Sequence, residues 1–136
     1  MPVEGFDHVA ITVADVDATL AWYERVLGAA PLHLDLWRAG TMPIALLQVG
    51  ASRLSVHPAA KPASPHARLP TAGSADLCFR YDGPVAEIVG HLDACGVDGV
   101  EGPVPRPASN GERGASVYFR YPDGNLLELL TLTPDA

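Results

Sequence analysis

FDHVAITVADVDATLAWYERVLG, residues 6–28, passes from one periodicity to another without interruption. In its first part His8, Ala10 and Thr12 fall on one face of a strand, and Val9, Ile11 and Val13 on the other, the apolar face that a helix would cover. His8 is thereby turned away from the greasier side. From Val16 onward the apolar positions Val16, Leu20, Tyr23 and Leu27 step by four, three and four, which is a helical stripe. Asp15 or Asp17 is expected to open this helix, and Gly28 to close it in the left-handed conformation that a residue without Cβ adopts at no steric cost. The stretch reads as a βα unit.

The same unit occurs twice. Moved by 68 positions, His8–Gly28 falls on Asp76–Gly96, element for element. SADLCFRY, residues 74–81, repeats the strand, Val85, Ile88, Leu92 and Cys95 repeat the stripe, and Gly96 repeats the stop. An ionisable residue, His8 or Asp76, stands at the same place in each copy. Two equivalent strands brought together by a pseudo-twofold axis would let these side chains converge, and converging donors make a metal site.

After each helix the chain reads as short strands joined by turns. In the first half these are LHLDLWRAG (32–40), PIALLQVG (43–50) and SRLSVHP (52–58), the last two closing as a hairpin. In the second half they are GVEGPV (99–104), SVYFRYPDGN (116–125) and NLLELLTL (125–132), with PDGN as the clearest turn. Aligning the two hairpins sets Ala51 against Gly124 and Ser55 against Glu128. The segment between the halves is rich in proline and alanine and reads as a linker. The expected organisation is one α+β domain over residues 1–136, made of two βαβββ modules at about 4–58 and 73–134 and a linker at about 59–72.

Composition bounds the function. A chain of 136 residues can bury a core of its own, and 48% of its residues are hydrophobic, yet no apolar run approaches the length of a membrane span. With no basic, apolar leader in MPVEGFDHV, a soluble cytoplasmic protein is expected. Nine Lys and Arg against 16 Asp and Glu give a net charge of −7, which disfavours nucleic acid and mildly favours a cationic ligand. The two cysteines, Cys78 and Cys95, lack paired ligand spacing and read as reduced, buried thiols.

The ordered set FDHVAITVADVDATLAWYERVLG, GSADLCFRY and SVYFRYPDGNLLEL resembles the vicinal oxygen chelate superfamily, which includes glyoxalase I, extradiol dioxygenases and the fosfomycin- and bleomycin-resistance proteins. The resemblance covers nearly the whole chain. It implies paired modules forming a cup-shaped mixed sheet, helices outside and a divalent metal on the inner face. The family's ligand positions fall on His8, Asp76 and Glu128, and a fourth falls on Ser55, so an open coordination position is implied. Aspartate stands where the second module usually has histidine. One imidazole and two carboxylates make a harder, more anionic site, for which Mn, Fe, Ni, Co and Zn all remain open. The family commonly forms homodimers, in many of which the site spans two chains.

The residues support this chemistry independently. A metal that activates a substrate needs about three protein ligands and exchangeable positions that a substrate with neighbouring oxygens can fill. Proton abstraction needs a base, for which the candidates are His57, two residues past Ser55, or a carboxylate such as Glu128 released from the metal. Plainer readings stand beside each. A single histidine at a strand start is more often hydrogen-bonded than ligating, and Asp76 could accept backbone hydrogen bonds at a strand edge. Glu128, among leucines, either faces solvent or has a partner. Arg80 shares a face with Asp76 and is expected to pair with it, Arg120 to brace the turn through Asp123, and Tyr118 to be structural. His33, His66 and His91 read as surface histidines, and Trp22 and Trp37 as packing residues, with Trp37 beside Arg38 an option for the mouth of the cup.

Two functions follow. One is a metal-dependent lyase, isomerase, dioxygenase or transferase acting on a small molecule with vicinal oxygens. Asp76 weakens the dioxygenase option, and Ser55 weakens glyoxalase I activity. The other is a binding protein of the bleomycin-resistance type that sequesters an antibiotic without chemistry. Substrate choice is expected to lie in the cup lining and in PRPASNGERG (105–114), read as a mobile rim.

Overall fold

The computed structural model describes residues 1–135, so Ala136, the last residue of the expected domain, lies outside the described residues. The chain divides into two compact units, residues 1–72 and 73–136.

The first unit runs β1 (Val9–Val13), α1 (Val16–Leu27), β2 (Ala30–Leu32), α2 (Leu34–Arg38), β3 (Ala45–Val49) and β4 (Ser52–Pro58). Its sheet has the order β1-β4-β3-β2, with β1 parallel to β4 and the other pairs antiparallel. Alternation along the strands buries Ile11, Val13, Leu47, Leu54 and Val56, while α1 buries Leu20, Tyr23 and Val26. Val26 takes the buried place expected of Leu27, because both lie within the apolar arc one turn beyond Tyr23. The helix starts at Asp15, whose Oδ1 accepts the Ala18 amide at 3.0 Å, and ends at Gly28, with φ 64°.

LHLDLWRAG departs from the expectation of a strand. Only Leu32 belongs to β2, and residues 34–38 form the short helix α2. The alternating leucines suggested a pleat, but His33 adopts φ 53°, which turns the chain out of extended geometry. Asp35 in the first turn and Arg38 in the last then match the helix dipole.

The second unit repeats the topology. It runs β5 (Asp76–Tyr81), α3 (Val85–Ala94), β6 (Glu101–Pro107), β7 (Arg113–Arg120) and β8 (Leu126–Thr131), in the order β5-β8-β7-β6 with β5 parallel to β8. Ile88 and Leu92 of α3 are buried, as are Val117, Phe119, Leu127 and Leu129 of the sheet. Pro84 caps α3 without a side-chain bond, and the Val85 amide instead donates to the Pro134 carbonyl at 3.1 Å. In each unit the first strand lies parallel to the last, and among the described residues α2 is the one helix of the first without a counterpart in the second.

The expected rim loop is shorter than PRPASNGERG. Residues 105–107 belong to β6 and residues 113–114 to β7, which leaves 108–112 as the connection. The prolines suggested irregular chain, but β6 is an edge strand that pairs with β7 alone, where a missing amide donor is tolerated.

Candidate functional site

On β5, Asp76, Cys78 and Arg80 are exposed and alternate with the half-buried Leu77, Phe79 and Tyr81. Asp76 is in register with Leu126 and Cys78 with Glu128 of the parallel strand β8. Asp76 and Glu128 therefore share one sheet face, on neighbouring strands and two residues apart in register. Across the antiparallel pair, Glu128 faces Tyr118. The fully buried Ser116 donates its hydroxyl to Glu128 Oε2 at 2.5 Å, so this charged residue among leucines has a partner, and the bond aims the carboxylate. Arg106 Nε donates to Tyr118 Oη at 3.0 Å, and its guanidinium carbon lies 5.6 Å from the ring centre.

Cys78 belongs to this face. Although the residue is exposed, loss of hydration against the sheet is the largest influence on its thiol, followed by the Glu128 charge and hydrogen bond and the Asp76 charge. Together they push the thiol pKa from 9.0 to about 11, with Arg80 opposing. A side chain lying between two strands can lose much of its water while its edge stays open to solvent. The thiol remains protonated at neutral pH.

In the first unit, Ala10 is in register with Ser55 and Thr12 with His57. Ser55 therefore occupies the register position in its sheet that Glu128 occupies in the other. Ser55 is 4% exposed, and its hydroxyl lies 3.1 Å from His57 Nε2. Burial lowers the pKa of His57, and nearby His66 and His8 lower it further, so the ring is neutral at physiological pH. His8 stands just before β1, with Nδ1 at 2.8 Å from Asp7 Oδ2, a contact that leaves Nε2 as the ring nitrogen for any ligand. That contact holds the Asp7 carboxyl below its usual value.

The remaining candidates fall elsewhere. Among the described residues Arg80 makes no ion pair with Asp76, and Arg120 Nη1 braces the turn through the Gly124 carbonyl, 2.9 Å away. His66 Nδ1 bonds the Ala67 carbonyl, and His91 Nε2 lies 3.6 Å from Cys95 Sγ. Trp22 packs edge-on to Tyr23 with ring centres 5.4 Å apart, whereas Trp37 Nε1 donates to Asp17 Oδ1 at 3.0 Å. Sequence reasoning passed over Ser116, Arg106 and the involvement of Cys78. Period-two alternation could have found two of them, since Ser116 precedes Tyr118 by two positions and Cys78 lies midway between Asp76 and Arg80.

An imidazole and two carboxylates suit a divalent cation in kind, and the Ser116 bond holds one carboxylate as outer-sphere partners of metal ligands do. Among the described residues, no group of three or more His, Cys, Asp or Glu side chains is assembled to hold an ion.

Comparison with known proteins gives the chain its relatives. It is 37% identical over 129 residues to virulence protein STM3117 of Salmonella typhimurium, covering 95% of this chain and 85% of that one. The crystal structure of that protein superposes with a TM-score of 0.84 at 35% identity, over 96% of this chain and 98% of the other. The glyoxalase domain-containing protein RDO1 of Mycosarcoma maydis is 36% identical over 95% of this chain and 69% of its own length. A variant of the fosfomycin resistance protein FosX from Listeria monocytogenes, solved with Mn(II) and 1S,2S-dihydroxypropylphosphonic acid, shares the fold. Its TM-score is 0.64 at 20% identity, over 96% of this chain and 93% of the other. The family model matches residues 5–129, and the chain belongs to the Glyoxalase/Bleomycin resistance protein/Dioxygenase superfamily, with the α+β vicinal oxygen chelate fold.

Proposed function

We propose that this protein is a divalent-metal-dependent enzyme acting on a small molecule with vicinal oxygens, with His8, Asp76 and Glu128 as its metal ligands. The observation that carries the reading is the placement of Asp76 and Glu128 on one sheet face, with Glu128 aimed by the buried Ser116 hydroxyl. A bound cation would supply Lewis-acid polarisation of a substrate oxygen. Ser55, at the position equivalent to Glu128, leaves coordination open for that oxygen. Mn, Fe, Ni, Co and Zn all suit the donor set, and Mn(II) in the Listeria FosX structure is a precedent within the fold.

In this reading His57 takes the proton. It is neutral, and the Ser55 hydroxyl at 3.1 Å orients its ring. The Arg106 guanidinium, held by Tyr118 across from Glu128, adds a fixed positive charge suited to an anionic oxygen group on the substrate. Glu128 would double as an acid–base group. The two modules act as one domain over residues 1–136, in a cytoplasmic homodimer whose site is completed within one chain or across two. Lyase, isomerase and transferase chemistry suit these residues, and dioxygenase chemistry suits them less, because Asp76 stands where a second histidine would serve it.

The second reading, sequestration of a small molecule without chemistry, is favoured by the lack of an assembled three-donor group among the described residues. Elemental analysis after metal-free dialysis and reloading, followed by turnover assays on epoxyphosphonates, hemithioacetals and catechols, separates the two. Turnover by reloaded wild type that Asp76→Ala and Glu128→Ala both abolish supports the enzyme. Tight binding of an apolar or cationic compound by metal-free protein, without product, supports sequestration.

A further inference from the structure

The first unit carries a cleft that the proposed chemistry does not use. One wall is a stripe of α1, where Asp17, Leu20, Ala21 and Glu24 recur at helical spacing. The facing wall is α2, which turns Leu34, Trp37 and Arg38 to the same side. The cleft between them holds about 560 Å³, within the roughly 300–1,000 Å³ usual for small-molecule sites.

Its chemistry is specific. Asp17 is engaged by the Trp37 indole N–H, which fixes the ring as a flat wall beside Leu20 and Leu34. Besides Asp17, two opposite charges line the same cleft, yet among the described residues neither the Glu24 carboxylate nor the Arg38 guanidinium has an ion pair or side-chain hydrogen bond, with each other or elsewhere. A cation would satisfy one of them and an anion the other. A zwitterion satisfies both. We propose that the cleft between α1 and α2 binds a small zwitterion with a flat apolar body, the class an aromatic free amino acid represents. Its ammonium group meets Glu24, its carboxylate meets Arg38, and its apolar part lies on Trp37.

The test is a fluorescence titration of the full chain, because Trp37 lines the cleft while the other tryptophan, Trp22, is buried in the core. The probes are L-phenylalanine, phenethylamine, which lacks the carboxylate, and 3-phenylpropionate, which lacks the amine. L-phenylalanine should change the emission saturably and bind about two- to fivefold more tightly than either analogue, as expected for solvent-exposed charge contacts. Arg38→Gln should remove the advantage over phenethylamine, and Glu24→Gln the advantage over 3-phenylpropionate. Both residues are exposed, so the variants keep the fold, which far-UV circular dichroism verifies. Trp37→Phe should lose the signal and weaken binding by calorimetry. Absence of saturable binding of L-phenylalanine, or equal binding of all three probes, overturns the proposal. Unchanged selectivity in the two charge variants does so too.

Discussion

Cys78 offers a quantitative test of how the second sheet is charged. Desolvation, then Glu128 and Asp76, raise its thiol pKa from 9.0 to about 11. At pH 8 an ordinary thiol is about one-tenth ionised and this one about one-thousandth, so alkylation, which proceeds through the thiolate, should be roughly a hundredfold slower. The assay uses chelator-treated protein carrying Cys95→Ala, so that only Cys78 reacts, with iodoacetamide and mass spectrometry from pH 7 to 11. The rate should keep rising to about pH 11. Glu128→Gln should accelerate the reaction at pH 8 while leaving it below the rate of a free thiol, because the larger effect, desolvation, remains. The same shift predicts a loss of stability between pH 9 and 11, where the unfolded chain ionises this thiol and the folded chain does not. Free-thiol reactivity at pH 8 would show that the thiol pKa is not raised, because Cys78 is exposed and an accessible thiol reacts in proportion to its ionised fraction.

Other outcomes follow from packing and titration. Asn125 is buried and its Oδ1 accepts the Ala75 amide at 2.9 Å, so Asn125→Ala should cost about 1–3 kcal/mol in chemical denaturation by stranding that donor. Leu47 is fully buried, and Leu47→Ala should cost about 2–5 kcal/mol with the denaturant slope unchanged. The lowered pKa of His57 means that the unfolded chain takes up a proton more readily, so stability should fall as pH drops below the ordinary value of 6.5. His57→Gln should flatten that part of the pH–stability curve, and a curve identical to wild type would count against the burial of the ring.

The duplication was legible because both copies obey simple periodicities with glycine stops. The strand from Val9 to Val13, the helix opened by Asp15, and the second helix packing through Ile88 and Leu92 all follow from local pattern. Where local signals conflicted, tertiary context decided. The leucines of residues 32–36 fit either period, and the backbone of His33 chose the helix. The prolines of residues 103–107 argue against a central strand but are compatible with an edge, and sequence pattern does not say which strand lies at an edge. In the candidate site, the shared face of Asp76 and Glu128 follows from alternation within each strand once the register is known. Ser116 and Arg106 join it through strand pairings that only the folded sheet supplies. The Trp37–Asp17 bond likewise spans 20 residues of chain and depends on a helix that the pattern did not reveal.

Retention of a divalent ion by His8, Asp76 and Glu128 is measured by titrating chelator-treated protein with Mn(II) and following the free ion by electron paramagnetic resonance. Wild type should remove close to one ion per chain from the free signal, and His8→Ala, Asp76→Ala and Glu128→Ala should each leave most of it in solution while circular dichroism stays unchanged. An undiminished free signal with wild type, or equal uptake by wild type and all three variants, would rule out this ligand set.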